Sequence, residues 1–167
     1  MVVRGICALL LWGVVLAAVA APKARILEYG YYHFNNQSSL EANAKVASGY
    51  VRKGKATLVK KTERIPIEKG RLFGFRFRIE GVDSNVGLIP LELVVEHPPI
   101  KKPDGTVSTG YRYPVDLKLQ DGAVEDKTGY SLNHDYELVE GEWHFEYRFM
   151  NKPLLEQRFT TYKPKPE

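Results

Sequence analysis

Strict alternation of large apolar and polar residues is the feature that most limits what this chain can become. In residues 72–80, Phe73, Phe75, Phe77 and Ile79 take every second position, and Gly74, Arg76 and Arg78 take the others. Side chains of a strand point to opposite faces with a period of two, so such a segment buries one face and wets the other, whereas a helix would scatter the same rings around its circumference. The pattern recurs in 111–120, where Tyr111, Tyr113, Val115, Leu117 and Leu119 alternate with Arg112, Pro114, Asp116 and Lys118. It returns in 142–150, where Trp143, Phe145, Tyr147 and Phe149 alternate with His144, Glu146 and Arg148. Residues 25–34, 50–62, 88–97 and 154–162 are further strand candidates, and no segment past residue 21 sustains a helical apolar face. Pro114 marks an edge or a bulge near the start of its strand, since proline cannot donate to a ladder.

Turn residues punctuate these stretches: Glu68-Lys69-Gly70, Asp83-Ser84-Asn85, Pro103-Asp104-Gly105, Asp121-Gly122 and Met150-Asn151-Lys152-Pro153. Seven short strands at this spacing predict an all-β antiparallel sandwich of two sheets, with a closed barrel as the alternative. Two stretches do not read as strands. Residues 35–47 are polar and are expected to hold a short helix in 40–46, and 122–135 reads as a long mixed connection of the kind that carries function or moves.

The first residues differ from the rest of the 167. Arg4 is followed by an unbroken apolar run from Gly5 to Leu16 and then by Ala17-Ala18-Val19-Ala20-Ala21, the layout of a secretory signal cut after Ala20. The expected organisation is a signal peptide at 1–20, a sandwich domain at 21–162 and a disordered tail at 163–167. An uncleaved membrane anchor is the alternative, because the run approaches the roughly 17–20 residues that cross a bilayer. Cys7, the one cysteine, precedes most of the apolar run, so it suits no lipid attachment and leaves the remainder without a disulfide. About 145 residues are enough to fold on core burial alone.

Charge is uneven although the formal net value is only +4. Residues 51–78 carry ten Lys/Arg against Glu63 and Glu68, and residues 79–167 carry ten against sixteen acidic groups. A sandwich that pairs early strands with late ones would set these excesses against each other, which is the preferred reading over an anion-attracting surface.

The segments Arg64-Ile65-Pro66-Ile67, GRLFGFRFRIEG at 70–81, Val94-Val95-Glu96-His97-Pro98-Pro99, and Leu138 to Phe145 running on to Gln157-Arg158-Phe159 together resemble the bacterial family catalogued as domain of unknown function 3859. The likeness runs from about residue 25 to 162. Glu140 stands where that family has proline before the glycine, and the loop at 82–88 is longer than usual. The resemblance implies an immunoglobulin-like sandwich and a periplasmic location, and it brings no activity or catalytic residue with it.

No chemistry-bearing constellation stands out. A catalytic zinc site needs three protein ligands and an open position, and His33, His97, His134 and His144 show no ligand spacing. Ser131, His134 and Asp135 are neighbours in sequence, which is not the geometry of a triad, and there is no G-x-S-x-G elbow. The basic segment with Tyr50, Phe73 and Phe75 invites a nucleic-acid reading, but alternation turns the phenyl rings away from the arginines. The chain is therefore read as exported and non-catalytic, with no cofactor, metal or nucleic acid. It would contact a protein or an envelope polymer through the loops at 98–110 and 122–135 and the candidate surface Tyr111, Tyr130, His134, Asp135 and Tyr136. The alternatives are an envelope hydrolase built on carboxylates or on His134, with Asp135 and Glu140 near, and an inhibitor or immunity-type protein of an envelope enzyme.

Overall fold

The computed structural model describes residues 21–34, 39–83 and 85–165. The expected signal peptide and the last two residues of the tail lie outside them. Among the described residues the chain forms β1 (Lys23–Phe34), β2 (Ser39–Ala42), β3 (Tyr50–Lys53), β4 (Ala56–Lys60), β5 (Arg64–Pro66), β6 (Leu72–Glu80), β7 (Leu88–Lys101), β8 (Val107–Lys118), β9 (Ala123–Ser131), a 3-10 turn (Asp135–Glu137), β10 (Gly141–Phe149) and β11 (Lys152–Tyr162). One sheet runs β4-β1-β6-β9 and the other β5-β11-β10-β7-β8, with β2 and β3 as a separate ribbon. Pairing is antiparallel except between β5 and β11. No helix among the described residues is long and apolar enough to cross a membrane.

The two sheets meet through the faces that alternation assigned to the core. Phe73, Phe75 and Phe77 of β6, Trp143 and Phe145 of β10 and Phe159 of β11 are almost completely buried. Phe73 stands edge-on to Trp143 at 5.2 Å and to Phe159 at 5.4 Å, the arrangement that the ring quadrupole favours. The indole nitrogen of Trp143 donates to Thr161 Oγ1 at 3.2 Å, so the largest buried side chain leaves no polar atom stranded.

Part of the charge imbalance is compensated between the basic segment and the later, acidic one. Arg78 of β6 lies 3.0 Å from Glu125 of β9, Arg76 lies 3.7 Å from the same carboxylate, and Lys69 lies 2.9 Å from Asp135.

Several local expectations are corrected. The stretch 50–62 is two strands: the chain breaks at Gly54, with φ 151°, so β3 joins the ribbon while β4 joins β1. The short helix expected at 40–46 is absent. β2 pairs with β3 instead, and a turn closes from Asn43 N–H to the Gly49 carbonyl at 2.7 Å. The long connection at 122–135 is mostly strand β9, paired with β6 over all nine of its residues. The loop at 98–110 also shrinks, because β7 and β8 continue past a bulge between Glu96 and Ile100 and turn only at 102–106.

Candidate functional site

β6 has two unlike faces. Its inward side carries phenylalanines, and its outward side carries Leu72, Gly74 and Arg76. Gly74 is opposite Gly30 of β1 and Gly129 of β9, so three neighbouring strands are bare of side chains at one level. This is a condition for the sheet as built. A Cβ on Gly74 would stand 2.1 Å from the Thr128 carbonyl oxygen, and one on Gly129 would stand 2.3 Å from that of Phe73. The bare row is flanked by Tyr32 and Leu72 on one side and by Arg76 and Lys127 on the other.

The β2–β3 ribbon roofs this floor. β3 touches β9, and Lys127 Nζ donates to the Gly54 carbonyl at 2.6 Å. Its turn reaches the edge of the sandwich, where Val46, Ala47 and Ser48 are buried and Lys45 lies 5.7 Å from the Tyr113 ring centre. Between roof, β9 and the facing sheet is a cleft of about 630 Å³. Its outer part is lined by Tyr32, Phe34, Arg52, Gly74, Arg76 and Lys127; its inner part lies between the sheets, against Phe75, Leu93, Tyr113, Val115, Asp126, Thr128 and Tyr147.

Electrostatics differ between the two parts. Arg52, Lys53, Arg76 and Lys127 face the cleft against Glu41 and Asp126. Lys53 is paired with Glu41 at 2.7 Å, whereas Arg52 lies over the Phe34 ring at 5.2 Å with no ion pair among the described residues. Burial raises the Asp126 carboxyl above its ordinary pKa, opposed by a backbone hydrogen bond and the charge of Lys127. Burial likewise raises the phenols of Tyr113 and Tyr147, with the Asp126 charge adding to both. The Tyr32 hydroxyl is buried beside the Glu28 carboxylate, and burial first, then the charge and hydrogen-bonding approach of Glu28, hold it protonated against the opposing charge of Arg76.

The residues singled out from sequence do not form one exposed surface. Tyr130 is only 4% exposed and packs 4.6 Å from Trp143, a correction to its expected contact role. Its hydroxyl donates to Glu137, a fully buried carboxylate that also accepts the backbone N–H groups of Asn133 at 2.9 Å and His134 at 2.8 Å. Tyr111 is stacked on Tyr113 at 5.9 Å and lines a small space of about 60 Å³ under the ribbon turn. His134 is stacked on Tyr136 at 5.0 Å, and Asp135 points to solvent with Lys69 as its partner. Glu140 accepts the Lys163 N–H at 2.8 Å. The 3-10 turn thus places His134, Asp135 and Tyr136 away from the cleft, and neither cavity includes His134, Asp135 or Glu140.

One grouping escaped the sequence reading. His144, Glu146 and Glu156 bring donor atoms within 4.8 Å of one another on the outer face of the second sheet. The signal was present as an i, i+2 pair on β10, but the third member depends on the β10–β11 register, which a single sequence does not display. Its donor types suit a borderline divalent cation. As it stands, His144 Nε2 lies 3.0 Å from Glu156, Nδ1 lies 3.5 Å from Glu96, and Glu146 is paired with Arg148. The cleft was missed more completely, because its floor is a row of glycines drawn from three distant segments.

No curated protein has a matching sequence. Among solved structures, the fold is similar to that of an immunoglobulin-like protein from Pseudomonas aeruginosa, with TM-score 0.58 and 24% identity over 87% of this chain and 99% of that one. That likeness bears on architecture alone and agrees with the two facing antiparallel sheets. The pattern of the family described as Domain of unknown function (DUF3859) matches residues 20–161, and the chain belongs to that family.

Proposed function

We propose that this protein is an exported, non-catalytic binding module whose ligand site is the ribbon-roofed cleft. The observation that supports this reading is the cleft itself: about 630 Å³, lined by apolar side chains and a few convergent cations. Ligand sites characteristically occupy about 300–1,000 Å³ and combine apolar lining with a small number of placed polar groups. The cleft replaces the sandwich-end loops as the site of contact, since one of those loops is a strand and the other a short turn. A protein or envelope polymer remains a fitting partner if it delivers a side chain or appendage small enough to pass under the roof.

The test is retention of ligand from envelope extract, read by native mass spectrometry on the intact protein. Ala42→Trp and Ala56→Trp place an indole in the cleft from two different strands. A bound mass carried by the parent protein and lost in both variants is expected. A bound mass that both variants keep would move the site elsewhere.

A further inference from the structure

We propose that His144, Glu146 and Glu156, on the outer face of the second sheet, form a site for a zinc-class divalent cation, with Glu96 holding the imidazole from its other side. The site is independent of the cleft, since none of these four residues lines it.

Register makes the cluster. His144 and Glu146 are two apart on β10, so the alternation that sends Trp143, Phe145 and Tyr147 into the core sends both of them outward. On one side β11 sets Glu156 directly opposite Glu146, and on the other β7 sets Glu96 directly opposite His144. One donor atom from each of His144, Glu146 and Glu156 then lies within 4.8 Å of the other two. Zinc–ligand bonds of about 2.0–2.2 Å place tetrahedral donors about 3.3 Å apart. His144 Nε2 and Glu156 already stand 3.0 Å apart, and the Glu156 side chain, 60% exposed, has room to turn toward the third donor.

Two features ask for a cation there. The first is the pair Glu146 and Glu156. Like charges directly across a ladder repel, and the Glu146 side chain is only 9% exposed, so solvent and salt screen it poorly. Arg148 engages one of its oxygens and leaves the other. The second is the imidazole, whose Nδ1 faces Glu96 at 3.5 Å while Nε2 faces Glu156 at 3.0 Å. A neutral ring has one N–H to give, so when Glu96 takes it the Nε2 lone pair is aimed at a carboxylate. A metal ion between Nε2 and Glu156 turns that repulsion into two bonds, and Glu96 becomes the carboxylate that orients a metal-bound histidine.

The wider face agrees in charge. Glu92, Glu96, Glu142, Glu146 and Glu156 stand on these three strands against Arg148 and Arg158, and Arg112 of β8 lies opposite Val94. Five carboxylates against three guanidiniums leave two negative charges while His144 is neutral, the amount that one divalent cation balances. A nitrogen donor beside two carboxylates suits a borderline ion over calcium or magnesium, which take oxygen ligands.

Isothermal titration of the untagged protein with zinc chloride at neutral pH, with magnesium and calcium chloride as controls, tests the site. One zinc per chain is expected, and it should raise the melting temperature, because a ligand of the folded state stabilises it. His144→Gln and Glu156→Gln are each expected to weaken zinc by about a hundred-fold, and Glu96→Gln, which touches the imidazole and not the metal, by about ten-fold. Glu156 and Glu96 are exposed, so their variants should melt as the parent does when zinc is withheld and lose only the rise that zinc brings. His33→Gln and His134→Gln should bind zinc as the parent does. Equal zinc affinity in the parent, His144→Gln and Glu156→Gln overturns the assignment, because the metal then sits elsewhere. No heat of binding together with no rise in melting temperature reduces the cluster to an ion-pair network. Magnesium or calcium bound as tightly as zinc overturns the class of metal.

Discussion

The two long edges of the sandwich are finished in different ways. At one edge the chain passes from β4 to β5 in a few residues, β5 docks against β11 and approaches β1, and Ile65 fills the seam with no solvent exposure. At the other, β8 and β9 touch only sparsely, and the gap is covered by the β2–β3 ribbon with a cleft beneath it. The first edge is sealed by a side chain that belongs to the core. The second is sealed by a cover tethered through Gly54 and held by one hydrogen bond from the Lys127 side chain to the Gly54 carbonyl and by the buried turn residues Val46, Ala47 and Ser48. One edge is closed by core packing, and the other by a separate ribbon with a cleft beneath it.

The largest expected difference between the edges is in truncation. Ile65→Ala should cost about 2–5 kcal/mol in urea-unfolding free energy, the range for emptying a tightly packed core position. Val46→Ala, also buried but in the ribbon turn, should cost well under half as much, because the cover can shift to relieve the void. Equal losses would mean that the ribbon is part of the core. Next is the corner joining the open edge to the second sheet. Glu137→Gln replaces one acceptor oxygen with a donor facing Tyr130 or the two N–H groups, and should cost about 1–3 kcal/mol by the same measurement.

A pH dependence should follow from His97, which sits 4.9 Å from Trp143 with Nδ1 donating to the Pro98 carbonyl at 2.8 Å. Burial lowers its pKa below the ordinary 6.5, so the unfolded chain takes up a proton that the folded one resists. Its contribution is whole above pH 6.5 and is lost as pH falls toward the folded value. The expected sign is a decline in stability from about pH 6.5 to 5, above the main carboxylate range. His97→Gln should flatten that interval, and an unchanged slope would assign it to other groups. The smallest effect is kinetic. Amides of β2 and β3 should exchange with deuterium through local opening, at lower free energy than those of β6 and β10. Identical protection would contradict a separable cover.

Much of the dry interior was legible in the sequence and little of the cleft was. β6 and β10 declare themselves because every second residue is large and apolar, and the observed faces are those the alternation gives. β9 hides for the same reason that it matters. Its inward positions are Val124, Asp126, Thr128 and Tyr130, and two of these are polar because they line the cleft. A strand with a partly wet inner face loses its periodic signature. The break inside 50–62 was equally silent, since β-branched and basic residues continue on both sides of Gly54. Strand spacing pointed to the sandwich and the family resemblance to its immunoglobulin-like type, but the alignment of Gly30, Gly74 and Gly129 exists only once register is known.

That bare row has a consequence for selectivity. Under the proposed binding role, a floor made of peptide backbone presents much the same chemistry whatever sequence surrounds it, so the information that would tell one guest from another is concentrated in the cover and its rim. Exchanging residues 39–53 alone would then retune what the protein accepts while leaving the aromatic interior untouched, a separation of recognition from folding within a single small domain.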